Sequence, residues 1–307
     1  MRDFRLVLFT LGVTYLLLLL GGLVHATGSS LACPDWPLCY GQVFPEMVGC
    51  VLVEHSHRLV ATLVGLLVIL ILVCLLKRKE DPALKRWGIF GLVLVIFQGV
   101  LGGLTVIFRL PIAVSTIHLG TAMIFFAWLI FMAYRVRPGV GARLALTPSM
   151  KTRKMIAWAA GAVYLQIMLG ALVRHTGSGL ACNTDLISCS GNWALSSGAQ
   201  WLHMIHRGMA FVNIGMVVAM TVPVLKEARA LERPRVRFLA VASHVMVCVQ
   251  TGLGFMTVAS FIATPIVTAH LGLGALLFAD LVALYFAMGP MGVVKTSARQ
   301  STLKAMG

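Results

Sequence analysis

Glu54-His55-Ser56-His57-Arg58 and, further along, Trp201-Leu202-His203-Met204-Ile205-His206-Arg207 are the stretches on which the fold turns. Each opens a long apolar run, and each sets a His-Arg pair where the chain passes from water into oil. The second lies 149 residues after the first. The same shift carries Cys33 onto Cys182, Thr27-Gly28 onto Thr176-Gly177 and Leu31-Ala32 onto Leu180-Ala181. A shift of 152 carries Gln98 onto Gln250, Gly102 onto Gly254, Thr105 onto Thr257 and His118-Leu119-Gly120 onto His270-Leu271-Gly272. The sequence is an internal duplication whose second copy has gained three residues. One difference inside the motif is chemical: Glu54 of the first copy is answered by His203 in the second.

Of the 307 residues, 59% are hydrophobic and only 11% charged, where a soluble domain carries about a quarter charged residues. Eight apolar runs reach the ~20 residues a spanning helix needs: 5–26, 53–76, 87–108, 112–134, 154–174, 201–224, 236–258 and 264–288. The first run is too long for a signal-peptide core and lacks a clear cleavage site, so it reads as a retained helix. The expected fold is an all-α integral membrane protein of eight transmembrane helices. Twenty-one of the 25 Lys and Arg fall at the two termini and in the 2–3, 4–5 and 6–7 loops. By the positive-inside rule both termini are cytoplasmic. The net charge of +15 is thus a sorting signal and calls for no nucleic acid. With four helices per copy, both copies share one orientation. Two four-helix bundles, 1–136 and 154–307, joined by a cytoplasmic linker at 137–153, are expected to be related by a pseudo-twofold axis along the membrane normal. The expected location is the cell membrane, the bacterial cytoplasmic membrane in particular, with lipid around the bundles.

Four histidines obey the repeat: His57, His118, His206 and His270. All sit within about two turns of the outer end of an outside-to-inside helix. Ionisable groups inside a span are costly and usually face a bundle interior. A lone histidine of this kind is commonly satisfied by a carbonyl or water. Two duplicated pairs at one depth fit haem irons gripped on both faces. A zinc or copper site would need further ligands, and the second bundle offers only His203. The four basic residues that escape the sorting rule are Arg58, Arg109, Arg174 and Arg207, all at outer helix ends. Arg58 and Arg207 directly follow a ligand and are candidates for haem propionates; snorkelling to lipid phosphate is the plain alternative. Glu54, three residues before His57, shares its helix face and is placed to accept a proton, or simply to balance an arginine.

Cys33/Cys39 and Cys182/Cys189 lie in outer loops, where disulfides persist; a reactive dithiol is the alternative, above all for the first pair. Cys50 has no echo, and Cys74 and Cys248 read as ordinary buried residues. His55 has no counterpart and receives no role. His244 and Asp280 stand outside the repeat at similar depth in helices 7 and 8, and are expected to pair as a clamp or a polar route.

The Glu-x-x-His-Arg motif at 54–58, the duplicated four-helix plan, the four histidines and the loop cysteine pairs together resemble haem A synthase over nearly the whole chain. That resemblance implies oxidation of the C8 methyl group of haem O to a formyl group, giving haem A for terminal oxidases. It implies His57 and His118 as ligands of the substrate haem, His206 and His270 as ligands of a permanent haem B, and Glu54 as the catalytic carboxylate. It also implies functional coupling to haem O synthase and to a haem A-type oxidase, and leaves a homo-oligomer open. The competing readings are a quinol-linked di-haem cytochrome b, which usually stacks its haems at two depths, and a haem transporter, which has no need of Glu54.

Overall fold

The structure, a computed structural model, describes residues 1–78, 81–138 and 149–289. Eight long helices follow one another: α1 (Arg2–Ala26), α2 (Gly49–Leu76), α3 (Pro82–Ile107), α4 (Ile112–Val136), α5 (Met150–His175), α6 (Gly198–Ala230), α7 (Pro234–Ala259) and α8 (Thr264–Ala287). Each is long and apolar enough to cross a membrane. In hydrocarbon no water can bond a free N–H or C=O, so runs rich in Leu, Val and Ile must close their own ladders. Large side chains such as Phe9, Trp158, Phe211 and Phe238 stay exposed on the outside of the assembly, as lipid contact requires. The chain is an all-helical, multi-pass membrane protein.

The helix ends follow local chemistry. Asp81 accepts from the Ala83 amide ahead of Pro82, and Ser149 and Ser197 cap α5 and α6; each satisfies an otherwise orphaned N-terminal donor. The expected and observed spans agree closely except at α6, which continues past Pro223 to Ala230. Hydropathy misses this extension because it is polar. Glu227 within it accepts from the Ser149 amide at 3.1 Å and from the Thr152 hydroxyl, tying α6 to the start of α5. The α3–α4 and α7–α8 reversals are alike. Arg109 and Leu110 have φ of 54° and 63°, Phe261 and Ile262 of 53° and 63°.

Helix α1 packs on α2 and α4, α2 on α3, and α3 on α4; likewise α5 packs on α6 and α8, α6 on α7, and α7 on α8. Between these sets α4 meets α5, α8 meets α1, and α4 meets α8. Both cross-seams close on a glycine. A Cβ at Gly120 would stand 2.8 Å from Met168 Sδ and 2.9 Å from the Tyr164 hydroxyl; one at Gly272 would stand 2.5 Å from Leu19 and 3.2 Å from the Tyr15 hydroxyl. Small residues let membrane helices approach closely, where packing drives association. Val64, Ile71, Phe125, Leu129 and Met132 fill the core of α1–α4, and Ile156, Val217, Met220 and Leu281 that of α5–α8. Most of the expected linker at 137–153, residues 139–148, lies outside the described residues, as does the basic stretch after 289.

Candidate functional site

His57 and His206 are the ninth residues of α2 and α6, and His118 and His270 the seventh of α4 and α8. All four therefore lie at one depth, near the end that carries the two long loops. His57 and His118 both lie in α1–α4, and His206 and His270 both lie in α5–α8, each pair split between the second and fourth helices of its set.

The helix ahead of each histidine is built around it. A Cβ at Gly21 of α1 would stand 3.2 Å from His57 Cε1, and one at Gly170 of α5 would stand 3.0 Å from His206 Cε1. At Gly102 of α3 the distance to His118 Cε1 is 3.5 Å, and at Gly254 of α7 it is 3.3 Å to His270 Cε1. Each imidazole lies flush on a neighbouring helix because that helix has no side chain there. One turn earlier, Gln98, Gln166 and Gln250 donate from Nε2 to the backbone carbonyls of His118, His206 and His270 at 3.0, 2.9 and 2.9 Å.

The long loops close over this end. Cys33–Cys39 and Cys182–Cys189 are disulfides, and Cys50, Cys74 and Cys248 are free thiols. Cys248 is exposed on the outside of α7 and Cys74 half-buried, not buried as expected, because both lie on apolar helices whose outer faces remain uncovered. Arg58 Nη1 donates to the carbonyls of Asp35 at 2.7 Å and Leu38 at 2.5 Å, and Nη2 to that of Cys33 at 3.2 Å. Its Nη2 also meets Glu54 Oε1 at 2.5 Å, while Glu54 Oε2 accepts from the Cys33 amide at 2.8 Å. Glu54 is buried, so both carboxylate oxygens are held by fixed donors. His55, without an assigned role from sequence, bonds the Val43 carbonyl through Nε2 at 2.8 Å. In the second loop Arg207 donates to the Ser188 carbonyl at 3.2 Å and from Nε to His203 Nε2 at 3.3 Å. His203 thus takes the arginine-accepting place of Glu54 without its charge.

An aspartate organises each disulfide loop. Asp35 accepts from the Tyr40 and Gly41 amides at 2.7 and 2.8 Å, and these bonds, Gly41 first, hold its carboxyl below the usual range. Asp185 accepts from the Ser188 hydroxyl and from the Gly191, Ile187 and Ser188 amides, which pull it down to about 2.

The family model for the cytochrome oxidase assembly protein matches residues 4–49 and 46–282. The chain belongs to this family. The heme A synthase of Bacillus pumilus is 30% identical over 280 residues, covering 87% of this chain and 90% of that protein. That of Shouchella clausii is 31% identical over 231 residues, 73% of this chain and 76% of the relative. That of Bacillus licheniformis is 27% identical over 268 residues, 84% and 87% respectively. Family membership brings a haem cofactor and makes the four histidines the residues to test against it. They fit. Nδ1 of His57, His118, His206 and His270 is buried with no hydrogen-bond partner among the described residues. Nδ1 would be the ring N–H of each histidine and Nε2 the nitrogen left to bind iron, and four imidazoles seated on glycines of neighbouring helices are a donor set that haem iron takes. Arg207 Nη2 is likewise buried and without a partner, as an arginine reserved for a carboxylate would be.

Three features escaped the sequence reading. Gly21, Gly170 and Gln166 were not singled out; the signal was the spacing Gln-x-x-x-Gly, present at 98–102, 166–170 and 250–254. His25 at the end of α1 meets His175 at the end of α5, Nε2 to Nδ1 at 3.0 Å, and Arg174 Nη2 donates to the His25 carbonyl at 2.8 Å. These two histidines are 150 residues apart and so sit one step out of register. Asp280 does not take the partner expected for it. Its Oδ2 meets Ser243 Oγ at 2.5 Å, while Nδ1 of His244 stays buried without a partner among the described residues.

Proposed function

We propose that this protein is a haem A synthase whose two bundles divide the labour: the first takes haem O and the second keeps a resident haem B. The observation that carries the division is a single broken symmetry. Two histidine pairs sit in matched glycine-lined cradles, yet among the described residues only the first has a buried carboxylate one turn from a ligand, Glu54, where the second has His203. Oxidising a methyl group removes hydrogens, and a base beside the reacting edge lowers the cost of each proton loss. Glu54 is that base. Arg58 and the Cys33 amide fix its two oxygens, so it is oriented before substrate arrives, and each oxygen keeps a lone pair. His57 and His118 would bind the substrate iron and so set its position against Glu54. Below His57 an apolar groove between α2 and α3, lined by Ala61, Gly65, Leu66, Ile69 and Val95, suits the prenyl tail of the substrate.

In the second bundle, His206 and His270 would hold the cofactor, and Arg207, whose Nη2 is buried without a partner among the described residues, would be free to pair with a propionate. When bound, haem B supplies one-electron transfer at its iron. His203, neutral where Glu54 is charged, leaves this bundle without a base. The parallel pseudo-twofold arrangement and the domain boundaries at 1–136 and 154–307 are supported by the matched seams at Gly120 and Gly272. Cytoplasmic termini follow from the basic loops, and coupling to haem O synthase and a haem A-type oxidase follows from the chemistry of substrate and product. The test is to express the protein with and without haem O synthase and to chromatograph the extracted haems. A formyl-bearing haem is expected only with both. His206→Ala and His270→Ala should lose the resident low-spin haem, whereas His57→Ala should keep it and stop conversion. A resident haem that survives both second-bundle substitutions overturns the division.

A further inference from the structure

Each histidine site is completed by the helix that precedes it, and three of the four do so in one way. Gly102, Gly170 and Gly254 receive the imidazole, and the residue one turn earlier is Gln98, Gln166 or Gln250. Each glutamine donates to the backbone carbonyl of the histidine itself, at 2.9–3.0 Å. That carbonyl already serves its own helix ladder, and at His118 it also accepts from the Thr121 hydroxyl at 3.2 Å, so the glutamine adds a further donor that pins the ligand-bearing turn to the neighbouring helix. The fourth site breaks the rule. Gly21 receives His57 as Gly170 receives His206, but the residue one turn before Gly21 is Leu17. Leucine has no donor, and no side chain from a neighbouring helix donates to the His57 carbonyl among the described residues. The close glycine contacts fix this equivalence geometrically, independently of the 149-residue shift that also maps Gln166 onto Leu17.

The second bundle is therefore pinned on both ligand helices, α6 by Gln166 and α8 by Gln250. The first is pinned on α4 alone, by Gln98. The amide oxygens of all three glutamines are buried with no partner among the described residues, as is Nδ1 of the histidine each one pins. A histidine held by a metal needs an acceptor for its other ring N–H, and such outer contacts set ligand orientation and metal retention. A glutamine that donates to the main chain of the ligand fixes the turn from which the imidazole projects, and at His270 its Nε2 also lies 3.4 Å from the ring Nε2.

We propose that Gln166 is a positioning residue that makes the second site retain its haem, and that Leu17 in the same place lets the first site exchange. This rests on the division of labour above. An enzyme that must release one haem after each conversion and keep the other has reason to clamp them unequally. The His57 carbonyl then takes no side-chain hydrogen bond from α1 among the described residues, while the far end of α2 stays tied to α1 through Arg78 and Asp3.

The test exchanges the two residues in the full-length protein and measures haem retention. Purified Gln166→Leu is expected to transfer its resident haem to apomyoglobin about three- to tenfold faster than the parent, the size of one interhelical hydrogen bond in a membrane protein. Its low-spin electron paramagnetic resonance signal should broaden as His206 loses its fixed orientation. Leu17→Gln, made alone, should co-purify with more haem O or haem A and release it more slowly, with the resident haem unchanged. If Gln166→Leu does not fold, Leu17→Gln still decides the matter. Unchanged release in a folded Gln166→Leu, or unchanged retention in Leu17→Gln, overturns the proposal. His206→Ala is run alongside: if it keeps the resident haem, the assignment of bundles has failed, and with it the ground for the comparison.

Discussion

Glu54 and Arg58 are locked together at 2.5 Å on successive turns of α2, and both are bonded to the main chain at Cys33. One ion pair thus fixes the candidate base and closes the first disulfide loop. The two roles separate by substitution. Glu54→Ala leaves a buried guanidinium unmatched, which costs about 3 kcal/mol or more, so loop closure and conversion should both fail. Glu54→Gln keeps one acceptor oxygen, enough for Arg58, while its NH2 cannot accept from the Cys33 amide, so the loop loses one bond and keeps the Arg58 contacts to its carbonyls. It should leave the loop resistant to protease while haem A formation stops. Haem A production near the parent level in Glu54→Gln would show that the carboxylate is structural only.

The glycine cradles give a graded series. An added methyl meets His206 at 3.0 Å, His57 at 3.2 Å, His270 at 3.3 Å and His118 at 3.5 Å. The last is ordinary van der Waals contact and the first requires the ring to move, because packed interiors absorb a methylene poorly. Gly170→Ala should perturb the resident low-spin haem spectrum most and Gly254→Ala less. Gly21→Ala should cut conversion at least tenfold with the resident haem intact, and Gly102→Ala should be near neutral. Equal losses in all four variants would mean that helix packing in general, rather than the imidazole seats, is being disturbed.

Much of this arrangement is legible in the sequence because both of its causes are periodic. Apolar runs of membrane length fix the eight helices, and a duplication repeated at constant shift brings His57, His118, His206 and His270 to one depth. What is not legible depends on rotation or on main chain. The carbonyls that Arg58 contacts belong to a folded loop, and nothing in residue spacing announces them; the same loop gives His55 its partner. His25 and His175 meet across the seam although the repeat pairs neither with the other. Ser243 and His244 are adjacent, and 100° of helix rotation decides which one faces Asp280. Gln166 was hidden because its counterpart is an ordinary leucine in a leucine run.

The loops make a pH prediction. Donors from Ser188, Gly191 and Ile187 hold Asp185 ionised down to about 2, below the ordinary carboxylate value of about 3.9. A depressed folded value contributes stability above the unfolded value, and that contribution is lost as pH falls through the folded one. The Cys182–Cys189 loop should therefore stay closed above about pH 4 and open towards pH 2. Reduction of its disulfide by a phosphine, taken as the ratio of wild type to Asp185→Asn, reads this directly. The ratio should be well below one at pH 5 and approach one near pH 2; a ratio of one throughout removes the aspartate from any role in closure. In the same preparations a membrane-impermeant maleimide should label Cys50, exposed at the start of α2. It should spare Cys248, which lies within α7.

The contact between Asp280 and Ser243 joins α7 to α8 away from the histidine sites, since Asp280 lies ten residues beyond His270 on α8. Ser243 is fully buried and its hydroxyl also reaches the Leu239 carbonyl at 3.0 Å. A serine has one proton to give. When it goes to Leu239, the bond to Asp280 has to be donated from the aspartate side, so an amide can replace the acid. Asp280→Asn is therefore expected to keep resident haem and thermal stability close to the parent. Asp280→Leu and Ser243→Ala each lose one interhelical bond, worth about 0.6 to 1.7 kcal/mol, and should lower the midpoint of thermal unfolding by a few degrees. The double variant should cost no more than the larger single one, because both remove the same contact. If Asp280→Asn is as damaging as Asp280→Leu while Ser243→Ala is silent, the clamp is refuted. The negative charge would then be what the position requires, and slowed reoxidation of the resident haem in Asp280→Asn would place it on an electron or proton route.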